Sequence, residues 1–161
     1  MDQQRDEYSV ARQTDENDTE DSDMAISVAV VAIVNGDGLG KVFRDLGVTR
    51  VLLGGDTMNP SVQEILDVIE AVPSDTVIIL PNNRNIIAGA QKASELSDKG
   101  VFVVSSMTIP QGISAMLAFN PGKIPEDNVS VMQHASGLVR TGEITKAVRS
   151  VKLEGVDVQD N

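Results

Sequence analysis

The chain has 161 residues, 41% hydrophobic but only 2% aromatic, which suits one domain, or one domain plus an incomplete second piece, with a core of Val, Ile, Leu, Ala and Met. It contains no cysteine and one histidine, His134, which excludes a disulfide framework and a thiolate metal site and argues against zinc. The net charge of -11 is uneven: nine acids and two bases give -7 in the first 24 residues and leave -4 for the rest, a poor match for nucleic acid, which needs a basic face.

Residues 1–24 are polar and acidic, with too few apolar groups to offset ordering entropy, and read as a disordered, solvated segment. From Ala25 the texture changes. Ile26 to Val34 is nearly continuous and β-branched, as expected for a strand covered on both faces. Gly38 to Leu46 predicts a helix with Leu39, Val42, Phe43 and Leu46 on one side, closed by Gly47. Arg50 to Leu53 reads as a short strand. Pro60 to Val72 predicts a second helix, with Asn59 as cap, Pro60 in the first position, and an apolar stripe of Val62, Ile65, Leu66 and Ile69.

Thr76 to Leu80 ("TVIIL") is a third strand, and Asn85 to Leu96 a helix with Ile86, Ile87, Ala90 and Ala93 inward. Val101 to Val104 and Pro110 to Phe119 complete a fourth strand and helix. Four alternations with short connections imply a parallel sheet with helices packed on it. After Asn120 the rhythm breaks into a linker, "PGKIPEDN", a helix at Asn128 to Val139 and a strand at Glu143 to Leu153. That strand either docks on the first sheet or opens a second domain. The expected division is therefore 1–24, an α/β domain at 25–120, and a partial second subdomain at 121–161. No apolar run is long enough to span a bilayer and no basic-then-apolar leader opens the sequence, so the expectation is a soluble, cytoplasmic protein without membrane insertion.

In an open parallel sheet every strand-to-helix loop lies beyond the carboxyl ends of the strands, where ligands bind. The four such loops are "NGDG" (35–38), "GGDTMN" (54–59), "PNNRN" (81–85) and "SSMTIPQG" (105–112). All are crowded with Gly, Asn, Asp, Ser and Thr, whereas the opposite loops, "GVT", "PSD" and "SDKG", are plainer. Capping accounts for one Asn or Ser per loop, not for this density. The candidate ligand- or partner-binding residues are Asp37, Gly38, Asp56, Thr57, Asn59, Ser61, Asn82, Asn83, Arg84, Asn85, Ser105, Thr108 and Gln111.

Generic motifs are weak. "GDGLGK" has Lys41 where the dinucleotide fingerprint needs glycine, and Val42 where the P-loop needs Ser or Thr. A phosphate at the first helix start would face Asp37 unless Mg²⁺ intervened. No Ser-His-Asp set can be built, because His134 falls in the last helix and reads as a surface or packing histidine. Asp37 and Asp56 could form a carboxylate pair for acid–base work or Mg²⁺ binding, although turn and cap roles suit both better. Arg84, apart from Lys41 the only cation near these loops, is either a solvated arginine or a fork for a carboxylate or phosphate.

Read in order, "NGDGLGKVFRDLGV", "GGDTMNPSVQEILDVI", "VIILPNNRNIIAGAQKASEL", "TIPQGISAMLAFNP" and "TGEITKAVR" resemble the C-terminal region of the A-type component of bacterial fatty acid kinase. Proteins of this kind are also called dihydroxyacetone kinase-like or Dak phosphatase proteins. The resemblance covers nearly the whole chain from about Met1. It implies a DegV-like fold, a three-layer α/β sandwich with a mainly parallel sheet, here with the start of a second α+β piece. It also implies a non-catalytic docking domain and a homodimer. Its partner would be a DegV-type fatty-acid-binding protein that presents the acyl carboxylate for phosphorylation. ATP and Mg²⁺ are implied only for a separate N-terminal domain with an aspartate cluster, so no cofactor and no metal are expected in this chain. In acyl-binding DegV proteins a Thr/Ser motif and a later Ser-rich loop hold the carboxylate, and "TMNPS" and "PNNRN" occupy similar places in the order of elements. The loops lack the histidine that binds ketone substrate in dihydroxyacetone kinases. The family's chain normally continues further, so the sequence is expected to be part of a larger polypeptide. The competing readings are a small-molecule phosphotransferase or phosphatase using Asp37 and Asp56 with Mg²⁺, and a purely structural dimerisation module.

Overall fold

The computed structural model describes residues 28–54 and 59–142, and the backbone of 151–153 and 156–158. The acidic segment 1–24 and the candidates Asp56 and Thr57 lie outside the described residues.

The strand β1 (Ala29–Val34) is buried at all six positions, as a strand covered on both faces must be. It leads into α1 (Asp37–Asp45), β2 (Arg50–Leu53), α2 (Val62–Ala71), β3 (Thr76–Leu80), α3 (Ile87–Leu96), β4 (Gly100–Val103), α4 (Ile109–Ala118) and α5 (Pro125–Gly137). The sheet order is β2-β1-β3-β4 and every pairing is parallel. Val31 to Val34 of β1 run beside Arg50 to Leu53, and Ala29 to Ala32 beside Val77 to Leu80.

Period-2 alternation splits the core into two halves. Val30, Ala32, Val34, Ile78 and Leu80 point to one face and pack with Phe43 of α1, Ala115 and Met116 of α4, and Met132 of α5. Ala29, Val31, Ile33, Val77 and Ile79 point to the other and meet Ile65 and Ile69 of α2 and Ala90 and Ala93 of α3. The result is the expected α/β sandwich of three layers. The helices change face when the chain reverses direction along the sheet, as a fixed crossover hand requires.

Gly47 closes α1 as predicted, at φ 94, with Val48 N–H donating back to the Phe43 carbonyl at 3.1 Å, the Schellman pattern. Val42 was expected inward but lies at the margin of the apolar face and is 41% exposed. The helix α2 begins later than predicted. Its cap is Ser61, not Asn59, because Ser61 and Glu64 form a reciprocal capping box. The helix α3 begins at Ile87 rather than Asn85, since residues 83–86 form a turn in which Asn83 Oδ1 accepts the Asn85 N–H at 2.8 Å.

The helix α5 starts at Pro125, earlier than expected, and packs antiparallel to α4 with Met132 in the first core half. Asn128, fully buried, ties the connection together: it accepts the Asn120 N–H at 2.8 Å and donates to the Asn120 and Lys123 carbonyls. Beyond it, β5 (Val151–Leu153) pairs antiparallel with β6 (Val156–Val158). The tail strand thus has a partner in the next residues; the rest of the predicted Glu143–Leu153 strand lies outside the described residues.

Candidate functional site

Because all four strands run the same way, the strand-to-helix loops share one rim. In sheet order they follow β2, β1, β3 and β4. The chain reverses direction between β1 and β3, the position where such sheets usually open a ligand crevice.

Here that crevice is filled from within. Asn82, at the end of β3, sits at φ 56 and is 3% exposed. Its Nδ2 donates to the Ile33 carbonyl on β1 at 3.1 Å, its backbone N–H donates to Ser106 Oγ at 3.0 Å, and the Ser106 hydroxyl donates to its Oδ1 at 2.8 Å. Asparagine tolerates the left-handed region better than other side-chain-bearing residues, which suits it to this corner. Gly112 of α4 completes the fit: a Cβ there would fall on the Asn82 side-chain amide. Asn82, predicted to meet a ligand, is thus a buried tie between β1, the β3–α3 loop and the β4–α4 loop.

The opening lies to the side of this tie, toward β4. A groove of about 620 Å³ is lined by Asn82, Asn83, Arg84 and Asn85 from one loop, by Met107 to Pro110 from the next, and by Thr141 and Gly142. Hydrogen bonds bring α5 and the residues after it to this place. Thr108 and Thr141 share a hydroxyl contact at 2.7 Å, Gln111 Nε2 donates to the Val139 carbonyl at 3.4 Å, and Ser105 N–H donates to Gln133 Oε1 at 2.8 Å.

The structure therefore separates the predicted residues. Asn83, Arg84, Asn85 and Thr108 converge on the groove with Asn82 at its floor. Ser105 and Gln111 are its supports: Gln111 Oε1 accepts the Met107 N–H at 2.8 Å, and Thr108 caps α4 by accepting the Gln111 N–H. Ser61 belongs to its own helix cap, where its N–H and hydroxyl both donate to Glu64 Oε2 at 2.8 Å. Those bonds stabilise the ionised Glu64 and lower its pKa from the ordinary 4.5, the backbone donor contributing most. Asn59 is exposed beside Pro60.

Asp37 and Gly38 are exposed in the first turn of α1. Gly36 precedes them at φ 77 with no side-chain cap, a conformation open to glycine. The Asp37 carboxylate occupies the end of the helix where a phosphate would bind, so its charge opposes that use. Its suggested partner for Mg²⁺, Asp56, lies outside the described residues, among which no cluster of three or more His, Asp or Glu forms. His134 is exposed in the last turn of α5.

Sequence reasoning missed Met107, Ile109, Pro110, Thr141 and Gly142 as lining, and Ser106 and Gly112 as the frame. The Thr-Gly pair stands in "TGEITKAVR", but nothing in local pattern places it beside Thr108. Among the described residues no helix is long and apolar enough to cross a membrane.

Similarity to known proteins bears on the whole of this arrangement. The sequence is 42% identical over 130 residues to Protein YloV of Bacillus subtilis, covering 81% of this chain and 24% of that protein. It is 38% identical over 135 residues to an uncharacterized protein of Staphylococcus saprophyticus, covering 84% and 24%. A third relative, an uncharacterized protein of Staphylococcus aureus strain USA300, is 36% identical over 134 residues, again covering 83% and 24%. The chain thus spans about a quarter of the length of these relatives. The profile of the FakA-like C-terminal family, which describes the C-terminal region of the A-type component of fatty acid kinase and its relatives, matches residues 29–161. That span includes the four-stranded sheet, helices α1 to α5 and the groove, and the chain belongs to this family.

Proposed function

We propose that this chain is a non-catalytic docking domain of a fatty acid kinase-related phosphotransferase and that its rim of strand-to-helix loops engages a DegV-type protein carrying a fatty acid. The observation that carries this reading is the family match over residues 29–161 combined with a polar, open groove on that rim. A docking surface should present polar side chains that are held in place and not consumed by the core. Asn83, Arg84 and Asn85 meet that description, since the buried Asn82–Ser106 tie anchors the loop they stand on. In this reading the phosphoryl chemistry, with ATP and Mg²⁺, belongs to another region of a longer cytoplasmic polypeptide that works as a homodimer.

The test is calorimetric titration of this chain, and of its longer parent, with a DegV-type fatty-acid-binding protein from the same cell. Saturable binding is expected, weakened tenfold or more by Asn85→Arg at the rim and unchanged by Asp98→Arg on the opposite edge. Failure of both chain and parent to bind the partner overturns the reading.

A further inference from the structure

The groove has a chemical bias that the docking reading does not require. Among the described residues the side-chain ion pairs are Lys41 with Asp45 and Lys92 with Glu95. Arg84 has neither an ion pair nor a hydrogen bond, and it is exposed at the groove. Asn83 uses its Oδ1 to accept the Asn85 N–H, which leaves its Nδ2 free, and the side-chain amide of Asn85 has no partner. Three donor groups without a protein partner, from consecutive residues, thus border one opening. Among the described residues that line the groove none is an acid, although acids outnumber bases 24 to 13 along the chain.

Of the side-chain acceptors at the opening, Asn85 Oδ1 has no partner and the others are engaged. Thr108 Oγ1 receives the Gln111 N–H and is hydrogen-bonded to Thr141, while Asn82 Oδ1 receives the Ser106 hydroxyl. A cation would meet Arg84 and few free lone pairs. An oxyanion would satisfy the guanidinium fork and the two amides together, and charge-assisted bonds of that kind are the strong ones.

We infer that the groove binds a carboxylate or phosphate group, with Arg84 as the charged fork and the Asn83 and Asn85 amides as flanking donors. At about 620 Å³ the space exceeds what a lone phosphate fills, and Met107, Ile109 and Pro110 offer apolar wall for a stem behind the charged head. The group is therefore carried on a larger body, either a small organic molecule or an acidic side chain of a protein. This inference shares the rim with the docking reading but stands on the donor set alone.

The experiment is a ¹⁵N NMR titration of the whole chain at constant ionic strength, with chloride as reference anion. The probes, in separate arms, are inorganic phosphate, hexanoate and a short glutamate-rich peptide. Saturable shifts of the Asn83 and Asn85 side-chain amides and of Arg84 Nε are expected in at least one arm, and the arm that saturates at lowest concentration identifies the source. Arg84→Gln should weaken that binding at least tenfold without moving the rest of the spectrum, and Arg84→Lys, which keeps the charge but loses the fork, should fall between. Shifts no larger than those from chloride, or binding untouched in Arg84→Gln, overturn the assignment. Capture of the DegV-type partner by Arg84→Gln at undiminished affinity would leave docking standing, and a positive titration without partner capture would leave the anion site standing.

Discussion

Glu64 is the clearest case of a single residue whose environment sets its behaviour. It is exposed, yet it accepts both the N–H and the hydroxyl of Ser61, and its own N–H donates to Ser61 Oγ at 3.2 Å. The lowered carboxyl pKa means that the folded state favours the ionised form. Its stabilising contribution is fully present above the ordinary 4.5 and is lost as acid protonates the group through its lowered value. Glu64→Gln should therefore lower the urea midpoint at pH 7, and the gap from wild type should close as the pH falls below 4.5. Paired denaturation series from pH 7 down to pH 3 check this. A gap that persists at the acid end would mean that the charge of Glu64 is not what holds the cap.

At the scale of elements, the loops on the edge away from the groove prove less plain than their composition. Lys99, between α3 and β4, reaches back to the end of α2 and donates to the carbonyls of Ile69, Glu70 and Val72 at 2.9, 3.1 and 2.8 Å. A helix C-terminus leaves such carbonyls without partners, and its partial negative charge favours a cation. Lys99→Met keeps most of the aliphatic stem and removes the charge and the donors. It should destabilise the fold by about 1–2 kcal/mol, measured by urea unfolding, with fraying confined to the last turn of α2 in hydrogen exchange. This cap was not legible in the sequence, because a contact between residues so far apart in the chain leaves no local pattern. What was legible follows from periodicity: the β-branched run of β1, "TVIIL" in β3, and the stripe of Ile65 and Ile69 all fixed their elements. The start of α2 was legible too, since Ser61-Val62-Gln63-Glu64 is a capping-box spelling, but Asn59-Pro60 offered a competing start. The groove was half legible. Alternation put "PNNRN" and "SSMT" on one rim, whereas the return of Thr141 and the burial of Asn82 depend on three-dimensional packing.

In the whole molecule the sheet and the rim are joined at one point. The amide of Asn82 reaches β1, its backbone and Oδ1 are held by Ser106 after β4, and Gly112 of α4 leaves the room it needs. The same two loops form the groove walls, so their separation is set by a buried polar network in which every member is satisfied. Such a network is rigid while intact and expensive to leave half made. Gly112→Ala tests it. The added methyl would force the Asn82 amide aside, leaving the Ile33 carbonyl and Ser106 hydroxyl short of partners in a buried site. Overpacking and lost hydrogen bonds together predict a destabilisation of about 2–4 kcal/mol by urea unfolding. Hydrogen exchange should quicken at the Asn82 and Ser106 amides more than in α2, which is packed on the far face of the sheet. Asn82→Gly in the Gly112→Ala background should recover part of the loss, because it removes the side chain in the way and suits the positive φ. If the single variant unfolds at the wild-type midpoint, the two loops are not locked through Asn82, and the groove walls must be held by the contacts of α4 and α5 instead.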